Sequence, residues 1–250
     1  MRTDNDLQYT VLQHPILAST NTHLINMLAS GEPVEEFTVV ITEEQTSGRG
    51  QGSNRWSSQG GKNLTFSTLL LPDIEAKDHF FLNMCVSLGI RETVEKYVND
   101  VQVKWPNDIY VGDDKICGIL IESSIKSGRI VRCVAGMGLN VNQEKFEDWV
   151  PNPTSIYNAS GEESDLHEVL DEVMHHIAKY YRALREGRLE DIKQEYLAHM
   201  WRKDKQAEYQ DKDGRFIGTI RGCDDTGCLQ IEREDGTVSA YAFREVKFIL

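Results

Sequence analysis

Between residues 101 and 141 four strand-like runs, VQVKW, DIYV, KICGILIES and RIVRCVAGMGLNV, follow one another with only short turns between them. Runs joined by turns such as VGDDK and SIKSGR form a β-meander, so this segment predicts a largely antiparallel sheet. Upstream, FTVVITEE at 37–44 and NLTFSTLLL at 63–71 are rich in β-branched and aliphatic residues and predict two more strands. Helices alternate with them. Ser19-Thr20-Asn21 precedes Leu24, Ile25, Met27 and Leu28, a capped helix start that Gly31 and Pro33 bring to an end. Residues 77–98 carry Phe80, Phe81, Met84, Leu88, Val94 and Val98, mostly at helical spacing, and predict a long buried helix. After the loop PNPTS, Ser164 opens an amphipathic helix to residue 186, with Leu166, Val169, Leu170, Val173, Ile177, Tyr180 and Leu184 on one face. A shorter helix is expected over 189–201.

The texture changes after Trp201. Three turn signals, DKDG, DDTG and EDG, separate short strand-like runs, which predicts a small antiparallel barrel or sandwich of four or five strands. The expected division is 1–202 for a larger α+β domain and 203–250 for a small β module that caps it.

Forty acidic residues against 27 basic ones give a net charge of −13, the wrong sign for the basic footprint of a duplex-binding protein. No nucleic-acid partner is expected. No stretch approaches the roughly 20 apolar residues that span a bilayer, and the polar N-terminus has no secretory h-region. A cytoplasmic protein with no membrane partner is expected. The five cysteines are scattered, odd in number and without a CxxC, which points to idle thiols in a reducing compartment.

Three stretches carry chemistry. The first, EEQTSGRGQGSNRWSSQGGKNLTF at 43–66, joins two strands and holds Gly48, Gly50, Gly52, Gly60 and Gly61 with Arg49, Arg55 and Trp56. Glycines let backbone N–H groups approach an anion, and the tryptophan offers a flat face to a base. It suits a lid over a phosphate-bearing ligand, and equally a plain hairpin loop with a half-buried indole. The second is VQVKWPNDIYVGDDKICGILIES at 101–123. Lys104 ends a run otherwise fit for a core and must find a partner or ligand. Proline makes Trp105-Pro106-Asn107-Asp108 a rigid turn, and Gly118 interrupts a strand where close approach is wanted. Lys104, Asp108 and Lys115 can project from neighbouring strand ends into one cleft; read singly, each lysine is a surface residue. The third is AGMGLNVN at 135–142, where Gly136 and Gly138 let a ligand near the backbone and Asn140 can bond to it; alone it reads as a bulge.

Taken together and in order, these pieces resemble the biotin protein ligases. STN at 19–21, the GRGQ-x4-W loop at 48–56, KWPND at 104–108, the KxxGILIE strand at 115–122 and GxGxN at 136–140 all match, over nearly the whole chain from residue 10 onward. The resemblance implies a catalytic domain with a mixed, largely antiparallel sheet like that of class II aminoacyl-tRNA synthetases, with flanking helices, followed by an SH3-like barrel. It implies an ATP-dependent enzyme in which biotin attacks the α-phosphate of ATP, giving biotinyl-5′-AMP and pyrophosphate. A lysine of a biotin carboxyl carrier domain then attacks the anhydride and releases AMP. Mg²⁺ is expected with the ATP phosphates rather than on a protein cluster. Carried over by position, Ser19, Thr20, Asn21 and Gln45 bind biotin, and Gly48, Arg49, Gly50 and Gln51 wrap its carboxylate and the α-phosphate. Lys115 contacts the acyl-phosphate junction and, with Gly118, the biotin. Trp56, Asn107 and Asn140 contact the adenosine, as do Arg49, Gln51 and Lys115 its phosphate. Arg49, Lys104 and Lys115 supply charge, and Asp108 orients or deprotonates the incoming lysine. Such ligases occur as monomers and homodimers.

Two departures stand out. Many relatives carry arginine where this chain has Gln51, and a glycine-arginine pair in place of Ser53-Asn54, so this lid holds fewer cations. Some relatives also carry an N-terminal winged helix that binds DNA; with the biotin motif starting at Ser19, a ligase without that domain is expected. The alternatives are a lipoate- or octanoate-type ligase, which KWPND disfavours, and a non-catalytic sensor of biotin or nucleotide.

Overall fold

The structure, a computed structural model, describes residues 7–52 and 54–249; Ser53 of the lid falls outside it. The chain opens with β1 (Val11–Leu17), α1 (Thr20–Ser30), β2 (Val39–Gln45) and β3 (Leu64–Leu70). A short β4 (Ile74–Glu75) leads into α2 (His79–Val94). The meander follows as β5 (Val101–Lys104), β6 (Asp108–Val111), β7 (Asp114–Lys126) and β8 (Arg129–Leu139). Next come α3 (Ile156–Ser160), α4 (Leu166–Arg185) and α5 (Leu189–Ala198). The last five strands are β9 (Gln206–Asp211), β10 (Gly214–Cys223), β11 (Leu229–Arg233), β12 (Val238–Tyr241) and β13 (Lys247–Phe248).

β1 to β8 form one eight-stranded sheet in the order β1-β2-β3-β8-β7-β6-β5, with β4 beside β8. Its pairs are antiparallel except β1 with β2, which α1 links as a crossover. Because strand side chains alternate between faces, the two faces can be separated residue by residue. Val39, Leu70, Cys133 and Ala135 join the main core with α2 and α4, whereas Val40, Leu69 and Val134 form a second cluster with Leu24 of α1. The sheet is therefore covered on both sides near its centre, and β3 is buried at all seven positions. That double cover is why its apolar residues fall on both faces, Leu64, Phe66 and Leu70 on one and Leu69 on the other.

α2 is buried nearly all round, between the sheet and helices α4 and α5. α4 presents only one face. Its cap is Asp165 rather than Ser164: the Asp165 carboxylate accepts from the backbone N–H groups of His167 at 2.7 Å and Glu168 at 3.2 Å. Three elements were not expected from sequence: the two-residue β4, α3 and β1. α3 follows the PNPTS loop, capped by the Ser155 hydroxyl and stopped by Gly161 at φ +81°. β1 contains Pro15, which the ladder tolerates because β1 is an edge strand. The long helix also ends sooner, at Val94 rather than residue 98, and α5 ends at Ala198.

The C-terminal strands form a five-stranded antiparallel sheet in the order β12-β11-β10-β9-β13. It is anchored to the main body: Trp105 Nε1 donates to the Gly227 carbonyl at 2.9 Å, and the Trp201 ring centre lies 5.8 Å from that of Phe248. A single hydrophobic cluster runs from α2 to Tyr209, Ile220 and Ile231 of this module. All five cysteines are free, and four of them are buried. Among the described residues no helix is long and apolar enough to cross a membrane.

Candidate active site

Directly opposed residues in an antiparallel pair lie on the same face, so the register defines transverse rows. Lys104 opposes Asp108, Asp108 opposes Gly118, Gly118 opposes Gly138 and Gly138 opposes Thr65, one row across five strands. The next row runs Leu120, Gly136, Ser67 and Val40, and the third runs Glu122, Val134 and Leu69. α1 packs on Val40, Leu69 and Val134. The first row, with Gly118, Gly138 and Thr65, is left without a helix above it, and the second, with Gly136 and Ser67, meets only the first turn of α1. Small residues there leave a trough, the floor of a cavity of about 610 Å³. The start of α1, the lid residues Arg49–Gln51 and Asn54–Trp56, and Phe243, Arg244 and Val246–Phe248 of the C-terminal module form its walls.

Lys115 reaches this face through an irregularity. Ile109 opposes Cys117, but the next residue, Tyr110, opposes Lys115, so β7 carries one extra residue. Ile116 and Cys117 both enter the main core, and Lys115 and Gly118 both stay on the cavity face. Without this bulge the alternation would turn Lys115 into the core. Lys115 Nζ lies 2.7 Å from Asp108 Oδ1, and Lys104 Nζ is 3.9 Å from Asp108 Oδ2. Lys104 also stands 5.1 Å from the Tyr110 ring centre and 4.9 Å from that of Phe248. Burial pushes the Lys104 pKa below the ordinary lysine range; the Lys115 and Arg202 cations push the same way, and Asp108 opposes them.

The Trp105–Pro106 bond is cis, and the turn around it is stitched to three elements. The Pro106 carbonyl accepts from Asn83 Nδ2 of α2 at 2.9 Å and from the Tyr196 hydroxyl of α5 at 3.2 Å. Asn107 donates its amide to the Ile119 carbonyl of β7 and accepts the Ile119 N–H at 3.1 Å.

At the α1 end the polar groups are neutral and mutually bonded. The Thr20 N–H donates to Gln45 Oε1 at 2.8 Å, and Asn21 Nδ2 donates to the Leu120 carbonyl at 3.2 Å and to Glu122 Oε2 at 2.8 Å. Ser67 Oγ stands 2.7 Å from Thr20 Oγ1 and 2.5 Å from Asn21 Oδ1; its single proton serves one of them at a time. A Cβ at Gly136 would lie 2.0 Å from Asn21 Oδ1, so only glycine fits beneath that amide. The Ser19 hydroxyl caps α1.

The lid is a small hairpin, closed by Gly50 N–H to the Asn54 carbonyl at 2.8 Å and Trp56 N–H to the Gly48 carbonyl at 3.0 Å. The Trp56 indole lies flat against the floor: a Cβ would come within 2.1 Å of it at Gly138 and 3.2 Å at Gly118. Trp56 Nε1 and Gln51 Oε1 are buried with no hydrogen-bond partner among the described residues. Arg49 Nη2 donates to Glu122 Oε2 at 2.8 Å.

Of the residues singled out from sequence, Ser19, Thr20, Asn21, Gln45, Arg49, Gly50, Gln51, Trp56, Lys104, Asn107, Asp108, Lys115 and Gly118 line this one cavity. Gly48 and Asn140 do not. Gly48 faces a groove on the outer side of the lid. Asn140 is buried, its amide donating to the Thr154 carbonyl at 2.9 Å, while its Oδ1 has no partner. Sequence reasoning did not find Ser67, Glu122, or the C-terminal quartet Phe243, Arg244, Lys247 and Phe248. Ser67 carried a signal, a hydroxyl inside an aliphatic strand; the quartet carried none, since only the docking of the module brings it here. Six basic side chains (Arg49, Arg55, Lys104, Lys115, Arg244 and Lys247) line the cavity with one carboxylate, Asp108, although the chain as a whole is acidic.

Fold and cavity together define a class: a mixed α+β protein whose sheet forms the floor of a cavity that is basic at one end and neutral and polar at the other. Residues 14–140 match the biotin/lipoate A/B protein ligase family, and the chain belongs to that family. It is 30% identical over 242 residues to the bifunctional ligase/repressor BirA of Escherichia coli, covering 93% of this chain and 72% of that protein. Among solved structures it resembles a mutant biotin protein ligase from Aquifex aeolicus in complex with biotin, at a TM-score of 0.77 and 25% identity, over 96% of this chain and 98% of that one. The fold of the Aquifex aeolicus enzyme in complex with biotin and ATP superposes at a TM-score of 0.79 with 24% identity, over 96% and 99% of the two chains.

Proposed function

We infer that this chain is an ATP-dependent biotin–protein ligase. It activates biotin as biotinyl-5′-AMP and passes the biotinyl group to a lysine of a biotin carboxyl carrier domain. The observation that carries this reading is the division of one cavity into a neutral, hydrogen-bonded end at α1 and a basic end under the lid. The neutral end, Ser19, Thr20, Asn21 and Gln45, suits the uncharged polar head of biotin. The basic end suits a carboxylate that must meet a triphosphate. Two anions repel, and cations held in a partly desolvated site offset that repulsion where it is greatest.

In the first step a biotin carboxylate oxygen attacks the α-phosphorus, the bond to the bridging β-oxygen breaks, and pyrophosphate leaves. Lys115 and Arg49 sit where charge develops, with Gly50 and Gln51 supplying lid contacts, and Lys104 adds a second ammonium on the row. Trp56 covers the glycine floor and offers its face to the adenine, next to Asn107; the Asn140 role carries over only as support for the Thr154 loop behind the cavity. In the second step the carrier amine attacks the acyl carbon, AMP leaves, and the amine gives up a proton. Asp108 orients that amine or takes its proton. Closure of the lid also keeps water from the anhydride. Mg²⁺ would offset charge on the ATP phosphates. Among the described residues no group of three or more His, Cys, Asp or Glu side chains is built to hold a metal, and Asp108 is the one carboxylate lining the cavity, so the ion is assigned to the nucleotide. We further read residues 1–202 as a synthetase-like catalytic domain and 203–250 as an SH3-like module that closes the basic end.

The test is ATP–pyrophosphate exchange with biotin, lipoate or octanoate, followed by transfer to a carrier domain read by avidin blot. Biotin-dependent exchange with labelling of the carrier is expected. Exchange with lipoate or octanoate but not biotin, or no exchange at all, overturns the assignment.

A further inference from the structure

Glu122 lies in the third row of the sheet face, one step beyond the cavity floor, and does not line the cavity. One oxygen, Oε2, nonetheless accepts from both ends of the site: from Asn21 Nδ2 at 2.8 Å and from Arg49 Nη2 at 2.8 Å. The two donors differ in how firmly they are held. Asn21 is 3% exposed and fixed by the Leu120 carbonyl, Ser67 and the bare backbone of Gly136. The Arg49 side chain is 46% exposed and sits on a loop whose own closure rests on a few backbone bonds. Asn21 therefore braces the carboxylate, and the carboxylate braces the arginine. A guanidinium has five N–H groups in a rigid plane, so occupying one nitrogen fixes where the others point. With Nη2 engaged beyond the edge of the floor, on the same sheet face, the remaining edge is left to the cavity that Arg49 lines.

We propose that Glu122 is a positioning residue that latches the lid to the biotin wall, holding the Arg49 guanidinium edge toward the acyl-phosphate and so setting how long the adenylate is retained. The proposal rests on the biotin-activating reading of this cavity. It is not a claim that Glu122 touches substrate. Because Oε2 is shared, occupation of the α1 end by biotin stiffens Asn21 and, through Glu122, the arginine that meets the next substrate.

The test uses the full chain loaded with biotin, ATP and Mg²⁺, and follows release of biotinyl-AMP on chase with unlabelled biotinyl-AMP. Glu122→Ala should release the adenylate about fivefold faster than wild type, on the scale expected for contacting residues. Glu122→Gln keeps an acceptor oxygen for both donors and should stay within about twofold of wild type. In an Arg49→Ala background, Glu122→Ala should change release by less than about twofold, because the group it positions is gone. A residue with a merely structural role would add its effect in both backgrounds. Three results each overturn the proposal: Glu122→Ala releasing at the wild-type rate, Glu122→Gln releasing as fast as Glu122→Ala, or an undiminished effect of Glu122→Ala in the Arg49→Ala background. Wild type forming no biotinyl-AMP at all defeats the functional reading itself and the latch with it, and is seen before any variant is compared.

Discussion

At the α1 end of the cavity Thr20, Asn21, Gln45 and Ser67 are bonded to one another and buried or half-buried, whereas at the lid end Gln51 Oε1 and Trp56 Nε1 are buried without a partner. The first arrangement is completed by folding. The second is left for a ligand to complete, since an unsatisfied buried polar atom costs about 1–3 kcal/mol until something bonds to it. Recognition of a fixed small molecule belongs on the rigid end, where little ordering remains to be done on binding. Charge stabilisation and exclusion of water belong on the end that closes, because those effects matter most in the transition state. If this division is real, substitutions at the two ends should separate binding of biotin from its activation.

The largest separation is expected at Lys115. Lys115→Ala removes the ammonium nearest Asp108, and loss of one such group costs about 10²–10³ in rate. Adenylation measured by pyrophosphate exchange should fall by that factor, with biotin affinity by calorimetry unchanged within a few-fold. An equal loss in biotin affinity would mean that the two ends are one unit.

Gly136→Ala tests the opposite end. The new Cβ would meet Asn21 Oδ1 at 2.0 Å, and overpacking of this kind costs about 1–3 kcal/mol. The Asn21 amide is tied down on both sides and must give up a bond to move. The KM for biotin should rise about tenfold, while kcat at saturating biotin stays near wild type. A fall in kcat without a change in KM would show that Gly136 serves the reacting centre instead.

Most of this comparison was legible in the sequence as types of residue, and much less as places. STN, the glycine loop, KWPND and Lys115 supplied most of the polar side chains of the cavity, and GxGxN its bare floor at Gly136 and Gly138. What could not be read was register. The bulge at Ile116 that turns Lys115 outward leaves no mark in the residue order, because an isoleucine is as suitable for a bulge as for a ladder. β1 escaped notice because Pro15 and His14 interrupt its pattern, and only its edge position makes the proline acceptable. Arg244 and Phe248 were invisible for a third reason. They reach the cavity through docking of the C-terminal module by Trp105 and Trp201, a long-range contact that no local pattern encodes.

The lid itself is probed by Arg49→Gly. Its arginine is the one basic group of this loop bonded to the wall, so its loss should let biotinyl-AMP escape and label bystander lysines several-fold more than wild type. Mass spectrometry of a mixture of carrier domain and an unrelated protein gives the count. Labelling confined to the carrier would place retention of the adenylate elsewhere than in the lid.

The smallest effect is one of pH. Burial, with Lys115 and Arg202 nearby, holds Lys104 below the ordinary lysine range, and Asp108 only partly offsets this. The ammonium is present below that lowered pKa and is lost as pH rises through it, so the charge leaves the row earlier on the alkaline side than at a free lysine. Adenylation by wild type should therefore decline at alkaline pH before an unperturbed lysine would titrate. Lys104→Arg replaces it with a group that stays protonated across the whole alkaline range in which the enzyme can be assayed. The variant should lose some activity at neutral pH, because its longer, planar head does not put its charge where the Lys104 ammonium stands, 3.9 Å from Asp108 Oδ2. Its ratio to wild type should nonetheless rise a few-fold from neutral to alkaline pH. A ratio independent of pH would mean that the alkaline limb belongs to another group, and would remove Lys104 from the basic end while leaving Lys115 in place.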